Sequence, residues 1–539
     1  MKPTPGAGNT PGPVRRICGE PTELHPVRRR RAPNLRRNGQ TRRLPALNVE
    51  APVQIGIAHT GPNQPMWRSR FKVNLLTELY VLGYGYPYGS RRGILAAPET
   101  GGVMLVGSTV RRVAILGGSR IPFARAHGAY GRVGNQDMLT AALRAVVSRY
   151  GLEGVRLGDV MAGAVIKHSK DFNLVRECVL SSGLHPQTPG LDLQRACGTS
   201  LEAAILVGNK IALGQIDVGI AAGVDSISDP PVVYPKSYQQ LLLQSYRGRT
   251  LLQRLKPWLS LRPRHFKPVM PGVIEPRTGL SMGQSTELMA KSWQIGRAEQ
   301  DQLAADSHAR AAAAWADGFH ADLVVPFEGL AKDNNVRADS TVERLAKLRP
   351  AFDTSGTGTL TAGNSTPLTD GAAGVLLASE DWAASRGLPV QAYLTFGKTW
   401  AVDFASGQEG LLMAPAHAVS EMLRDAGLTL QDFDYYEIHE AFAAQVLATL
   451  KAWESPAYCR DQLGRDAPLG PIDRAKLNVH GSSIAMGHPF AATGARILAT
   501  AAKLLATNPA ARRTLISICT AGGMGVTAIV ESAHKEHQR

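Results

Sequence analysis

The chain has 539 residues, 44% hydrophobic and 19% charged, enough to bury one large core or two to three medium ones. Its 55 glycines and 34 prolines fall short of a low-complexity composition, and no uncharged apolar run reaches the roughly 18 residues of a spanning helix. Disorder throughout, collagen, coiled coil and an integral membrane protein are thereby excluded.

The net charge of +16 points to nucleic acid only until it is divided along the chain. Residues 1–110 hold 16 Lys and Arg against 5 Asp and Glu, with basic clusters at Arg28 to Arg31, Arg36–Arg37 and Arg42–Arg43. They also hold 13 of the prolines, and no apolar period persists before residue 70. Such a segment cannot offset its chain entropy, so 1–110 reads as a disordered, non-catalytic extension. Its Arg-rich composition fits a transit peptide, but Pro3, Pro5, Pro11, Pro13, Pro21 and Pro26 break the amphipathic helix that would need. A secretory signal lacks its apolar core. A solvated charge run is preferred over a nucleic-acid arm; a further option is translation from Met104, with a mis-assigned segment upstream. The five cysteines (Cys18, Cys178, Cys197, Cys459, Cys519) form no C-x-x-C pair. That suits free thiols in a reducing compartment, cytoplasmic or, in a eukaryote, mitochondrial, and no metal site is expected.

From residue 111 the chain becomes orderly. Arg112 to Leu116 predicts a strand ending at Gly117-Gly118, and the following Ser-Arg-Ile-Pro does not complete a dinucleotide-binding loop. Gln136 to Tyr150 predicts a helix and Val160 to Ile166 a strand. Strands alternate with Ala-rich helices to Ser228 and again from about Thr361, the pattern of an α/β fold. Between them, 231–274 carries Lys236, Arg247, Arg249, Arg254, Lys256, Arg262, Arg264 and Lys267 with no acid, interleaved with tyrosines, leucines and Trp258. This basic amphipathic stretch suits an anionic membrane surface or an acidic partner; the alternative is an insertion packing on its own protein.

Four segments share one grammar, an apolar strand, a reactive residue, then glycines or a helix start. Leu191 to Ala196 leads to Cys197 and a helix to about Leu213, a setting whose dipole is expected to lower the thiol pKa. Thr514 to Ile518 delivers Cys519 into Thr-Ala-Gly-Gly-Met-Gly525, Asp434 to Ile438 delivers His439, and Asn478-Val-His-Gly481 leads to His488 before Pro489. Singly each is weak, since a lone Cys or His is more often structural. Together, two cysteines and two histidines at strand ends occupy the place where α/β folds bind ligands.

About residues 110–535 resemble the thiolase family. The motifs are Gln194-Arg-Ala-Cys-Gly-Thr-Ser200, Met282-Gly-Gln-Ser-Thr-Glu287, Thr361-Ala-Gly-Asn364, His439-Glu-Ala-Phe442, Gly487-His488-Pro489 and Cys519-Thr-Ala-Gly-Gly-Met-Gly525. His439, where most thiolases carry Asn, and the basic insertion resemble the β subunit of the fatty-acid oxidation trifunctional enzyme and its bacterial relatives.

The resemblance implies a layered α-β-α-β-α sandwich of two related halves, 111–385 and 386–539, with an insertion domain at about 229–360. It implies CoA-dependent cleavage of 3-ketoacyl-CoA, with CoA as co-substrate and no bound cofactor. Cys197 would be the nucleophile, His488 its base and Cys519 the acid/base on the acetyl carbon. His439 (through a water) with His488, and the backbone N–H groups of Cys197 and Ala521, would form two oxyanion holes. Phe442 would wall the acyl pocket, and Ala362 and Thr366 would lie near pantetheine. A homodimer or homotetramer is implied, with a hydratase/dehydrogenase α subunit as a candidate partner and nucleic acid disfavoured. Ala521, Ser482 and Ala491 replace common glycines. A 3-ketoacyl synthase, which pairs one cysteine with two histidines, and a non-catalytic acyl-CoA or lipid carrier are the competing readings.

Overall fold

The computed structural model describes residues 110–269 and 272–534, so the basic extension before 110, Cys18 and Met104 lie outside the described residues. Of ten strands, nine form one hydrogen-bonded path and the tenth pairs beside it. They are β1 (Val113–Arg120), β2 (Ala124–Arg125), β3 (Asp159–Ala162), β4 (Gly190–Asp192), β5 (Val218–Asp225), β6 (Thr369–Ser379), β7 (Ala392–Ala401), β8 (Tyr435–Ile438), β9 (Arg513–Thr520) and β10 (Met524–Ser532). The spatial order is β4-β3-β5-β6-β1-β7-β10-β9-β8, with β2 paired beside β6.

The path divides into two copies of one plan. β3-β5-β6-β1 and β8-β9-β10-β7 run in the same order, the first pair parallel and the next two antiparallel. Each copy carries a bulge at the fourth residue of its first strand, Leu116 in β1 and Thr395 in β7, which the partner strand skips. The copies meet where Ala114 and Ile115 of β1 pair with Tyr393 and Ala392 of β7.

Alternation along the strands sets the layers, because successive side chains leave a strand on opposite faces. Val113, Ile115, Val375 and Leu377 share a middle core with Ile516, Ile518, Val526 and Ala528 of the second copy. That core is filled by the helices Thr199–Ala212 and Thr493–Thr507. On the far faces, Leu116, Leu376 and Ala378 pack on helix Asn135–Arg149, while Leu515 and Ile529 pack towards Ala414–Ala426 and Ala443–Glu454. The result is helix, sheet, helix, sheet, helix, with both faces of each sheet buried.

Two expectations change. β1 does not stop at Gly117-Gly118 but continues to Arg120, because the bulge at Leu116 absorbs the break and Gly117 to Arg120 pair with β6. β3 ends at Ala162 rather than near Ile166, where Val165 and Ile166 turn their N–H groups to the Asp225 carboxylate (2.9 and 2.8 Å). Residues 226–368 join β5 to β6, where the second copy has only the turn Ala521-Gly522-Gly523 between β9 and β10. Among the described residues no helix is long and apolar enough to cross a membrane.

The connection is tied to the sheet by a buried ion pair. Arg120 donates to both oxygens of Asp333 (2.6 and 2.7 Å), and Phe123 N–H donates to Oδ1 at 2.7 Å. Burial pushes the Asp333 carboxyl up, but the Arg120 charge and these hydrogen bonds outweigh it and hold the pKa below the ordinary value. A depressed carboxylate stabilises the fold above its unfolded pKa and loses that contribution as pH falls through the folded one. Asp333→Asn is expected to cost about 3–5 kcal/mol at neutral pH by stranding the guanidinium. Urea midpoints will show the gap to wild type closing as the pH is taken below the ordinary carboxylate range.

Candidate active site

The two central helices begin beside one another, and the reactive residues gather at that point. After β4 the chain turns sharply at Ala196, whose φ of +42° is unusual for a residue with a Cβ. Thr199 pins the turn, its hydroxyl accepting from Arg195 N–H (2.8 Å) and donating to the Ala196 carbonyl (2.7 Å). Cys197 is thereby presented at the start of its helix. His439 leaves the end of β8 with its N–H donated to the Ser517 carbonyl of β9 (2.9 Å), so it sits beside Cys519. His488 follows Gly487, whose φ is +110° and whose missing Cβ would fall 2.5 Å from Thr369 Cγ2; only glycine fits there. Beyond His488, Ala491 N–H donates to Asp225 Oδ2 at 2.8 Å, tying this loop to the first copy.

The Cys197 sulfur and one ring nitrogen from each of His439 and His488 lie within 4.8 Å of one another. The two rings stand 4.2 Å apart between centroids, and neither Nε2 has a hydrogen-bond partner among the described residues. The backbone N–H groups of Ala521 and of Cys197 itself point at the Cys197 sulfur; those of Cys519 and Ala441 point at the Cys519 sulfur. The first pair forms a cradle for negative charge against the nucleophile. Among the described residues this trio is the one group of His, Cys, Asp and Glu with metal-ligand spacing.

Burial governs the protonation states. It pushes the Cys197 thiol up to about 12, against the relief from the Ala521 N–H, so the helix start does not produce the depressed thiol expected from sequence. Protein atoms surround the sulfur densely even though the residue keeps some accessible surface. Cys519 is raised well above its ordinary value by burial and by Cys197. His488 is lowered to about 3 by burial and the Arg496 charge, and His439 is lowered well below its usual range by burial, His488 and Arg496. At rest the site holds two thiols and two neutral imidazoles.

The remaining candidates fall in different places. Phe442 is buried and meets Phe352 edge-on, with ring centroids 5.9 Å apart. Thr366 donates its N–H to the Ala441 carbonyl (3.1 Å) and its hydroxyl to the Ser483 carbonyl (2.8 Å), clasping the His439 and His488 loops. Ala521 is half-buried above Cys197, and Ala362 is exposed. The polar motif residues act as braces. Glu440 accepts from Ser307, Asn478 and the Ile484 N–H; Asn364 accepts from Thr361 N–H, donates to Asp301, and through its carbonyl holds Ala443 N–H.

Three neighbours escape a reading of the motifs alone. Ser483 lies 2.8 Å from His439 Nδ1, Thr493 lies 2.6 Å from His488 Nδ1, and Arg496 donates to Ser483 Oγ at 2.9 Å. Arg496 was detectable in principle, since an arginine between Ala495 and Ile497-Leu498 in an apolar helix demands a partner.

Residues 113–381 match the family model described as the N-terminal domain of thiolases and 395–532 the one described as the C-terminal domain. A 3-ketoacyl-CoA thiolase of Pectobacterium atrosepticum is 42% identical over 430 residues, covering 78% of this chain and 96% of that protein. One from Vibrio cholerae is 42% identical over 426 residues, 78% and 97% of the two chains. The crystal structure of the Bacillus anthracis acetyl-CoA acetyltransferase superposes with a TM-score of 0.66 at 29% identity, covering 79% of this chain and 100% of that one. With both halves matched and the reactive cysteines and histidines gathered at one point, this chain belongs to the thiolase family.

Proposed function

We propose that this chain cleaves 3-ketoacyl-CoA with coenzyme A as co-substrate, releasing acetyl-CoA and an acyl-CoA two carbons shorter, a step of fatty-acid β-oxidation. The observation that carries this reading is the meeting of two cysteines and two histidines at one point. An acyl-transfer thiolysis needs a nucleophile, a base that is free at rest, and a second acid/base on the departing carbon.

His488 Nε2 takes the Cys197 proton as sulfur attacks the 3-keto carbon. The alkoxide is held by the Cys197 and Ala521 N–H groups. The C2–C3 bond breaks, leaving an acyl thioester on Cys197 and an acetyl-CoA enolate. His488, now carrying the proton on Nε2, and His439 stabilise the enolate oxygen while Cys519 protonates C2. CoA then enters, gives its thiol proton to the Cys519 thiolate and attacks the thioester; Cys197 leaves and recovers its proton from His488.

A 3-ketoacyl synthase pairs one cysteine with two histidines, and the second thiol at Cys519 favours the thiolase reading. A non-catalytic carrier would have no use for the intact quartet, nor would a resident metal ion be compatible with His488 as base. Residues 111–385 and 386–539 are read as the two thiolase halves, and about 229–360 as the inserted domain over the CoA-facing side. A homodimer or homotetramer is the proposed assembly, with a hydratase/dehydrogenase subunit as a candidate partner and the cytoplasm as the proposed location.

The basic insertion is read as a surface for anionic lipid. Tyr238 packs on Tyr234, Trp258 and Phe266, giving helix Lys236–Arg247 a small core of its own. Tyr246, Leu251, Leu252 and Leu259 remain 74–88% exposed beside the lysines and arginines. An exposed apolar ridge flanked by cations gains both burial and charge attraction at such a surface.

Cys197→Ala and Cys519→Ala should each abolish CoA-dependent cleavage of short and long 3-ketoacyl-CoAs, and an acyl-enzyme should be trapped only where Cys197 is present. Turnover surviving either change would refute the assignment. In the free enzyme, the ring signals of His439 and His488 should stay at neutral-imidazole positions from about pH 8 down to about pH 5, because lowered histidine pKa values keep both rings uncharged. Deleting 236–267 should remove binding to vesicles rich in anionic lipid; unchanged co-sedimentation would sink the membrane reading.

A further inference from the structure

We propose that Ser483 and Arg496 are positioning residues that hold His439 in the tautomer carrying its proton on Nε2, facing Cys197 and His488. The catalytic consequence rests on the thiolase reading; the tautomer itself rests on geometry alone.

His439 Nδ1 lies 2.8 Å from Ser483 Oγ, and the same oxygen accepts from Arg496 Nη2 at 2.9 Å. A guanidinium offers only N–H donors. Ser483 Oγ therefore uses one lone pair on Arg496 and has its own hydrogen to place. Among the described residues its remaining side-chain partner is His439 Nδ1. If Nδ1 carried a proton, the serine oxygen would face two donors and its hydroxyl hydrogen would be buried without an acceptor, which costs more than the bond it replaces. The hydroxyl must donate to Nδ1, and the ring proton sits on Nε2.

That Nε2 has no partner among the described residues and belongs to a histidine fully buried at the reacting point. Its N–H is available to an oxygen that becomes negative there. His488 differs in one respect. Its Nδ1 faces the hydroxyl of Thr493 at 2.6 Å, and among the described residues no arginine donates to that hydroxyl. Thr493 does not by itself fix the His488 tautomer; action as a base at Nε2 requires the form in which Nδ1–H donates to the threonine oxygen. His439 thus presents a donor to a ring 4.2 Å away, and the arginine behind Ser483 is what fixes it.

The placement of Arg496 supports a function beyond stability. The residue is 2% exposed, and among the described residues its Nε and Nη1 have no hydrogen-bond partner while its Nη2 reaches only the hydroxyls of Ser482 and Ser483. Glu437 and Glu440 are the nearby carboxyls, but burial pushes both up, Glu437 to about 8, so neither is a full counter-charge at neutral pH. A hydrophobic side chain would stabilise this helix at least as well as a guanidinium so poorly bonded.

Histidine-selective 15N labelling, with His439→Gln for assignment, reads the tautomer directly. The expected spectrum has Nδ1 of His439 unprotonated and Nε2 protonated; a protonated Nδ1 would overturn the proposal. In kinetics, Ser483→Ala should lower kcat about 10- to 100-fold, part of what one oxyanion donor contributes, with KM within about twofold. Ser483→Thr, which keeps the hydroxyl, should recover most of the loss. In a His439→Asn background the amide donor needs no tautomer, so adding Ser483→Ala should change kcat by less than about twofold. An equal loss in both backgrounds would show a structural role and defeat the proposal. The spectrum requires neither turnover nor a folded variant at 483, so an inactive wild-type enzyme would count against the thiolase reading while the spectrum still decides the tautomer.

Discussion

In the middle layer, Gly494 of helix Thr493–Thr507 lies so close to helix Thr199–Ala212 that a Cβ there would sit 2.4 Å from the Leu201 nitrogen. Ser200 Oγ completes the contact by accepting from Ala495 N–H at 2.8 Å. Each helix is preceded by one reactive residue, Cys197 in the first copy and His488 in the second, so the distance between nucleophile and base is set by this crossing. Any larger residue at 494 would part the helices, and backbone rather than a flexible side chain would have to yield. Specific chemistry here depends on an absent methyl group.

The same packing excludes solvent and determines which protonation states are present. A thiol at an exposed helix start would drift towards thiolate, and an exposed imidazole would titrate near neutrality. Enclosed between sheets, both become reluctant to ionise, and the site rests uncharged. Such a site stabilises charge only as it forms, through amides already aimed at the sulfur and through histidines whose outer nitrogens are fixed by hydroxyls. The other buried ionisable groups near the site, Arg496, Glu437, Glu440 and Asp225, follow the same rule, burial pushing the three carboxyls up and the guanidinium down.

Much of this was legible because it is local. A strand of alternating or continuous apolar residues, a reactive side chain and a helix start follow one another within a few positions, so the four junctions and the α/β class could be read from periodicity. Features that depend on distant partners could not. The run of β1 through Gly117-Gly118 is decided by β6, more than 250 residues later, which supplies the pairing across a bulge. The raised thiol of Cys197 reflects the whole enclosure, against the helix start beside it. Ala362 belonged to a motif yet lies exposed, since Asn364 and Glu440 perform the bracing for that loop. Ser483 and Arg496 are 13 positions apart with a glycine turn between them, and only the folded chain sets the serine between arginine and histidine.

The two copies share strand order, pairing sense and even the position of a bulge, but they differ at the hairpin that ends them. In the second copy it is the turn from Ala521 to Gly523, whose first amide points at the Cys197 sulfur; lengthening it would move that donor. In the first copy the corresponding connection is 226–368. There the strand end carries Asp225, whose carboxylate holds Val165, Ile166 and Ala491, so the junction is anchored before the chain leaves the sheet. One repeat is therefore constrained to stay short by the chemistry it serves. The other, its end pinned by a buried carboxylate, is free to grow into the connection that carries Asp333, Glu287 and the exposed basic ridge.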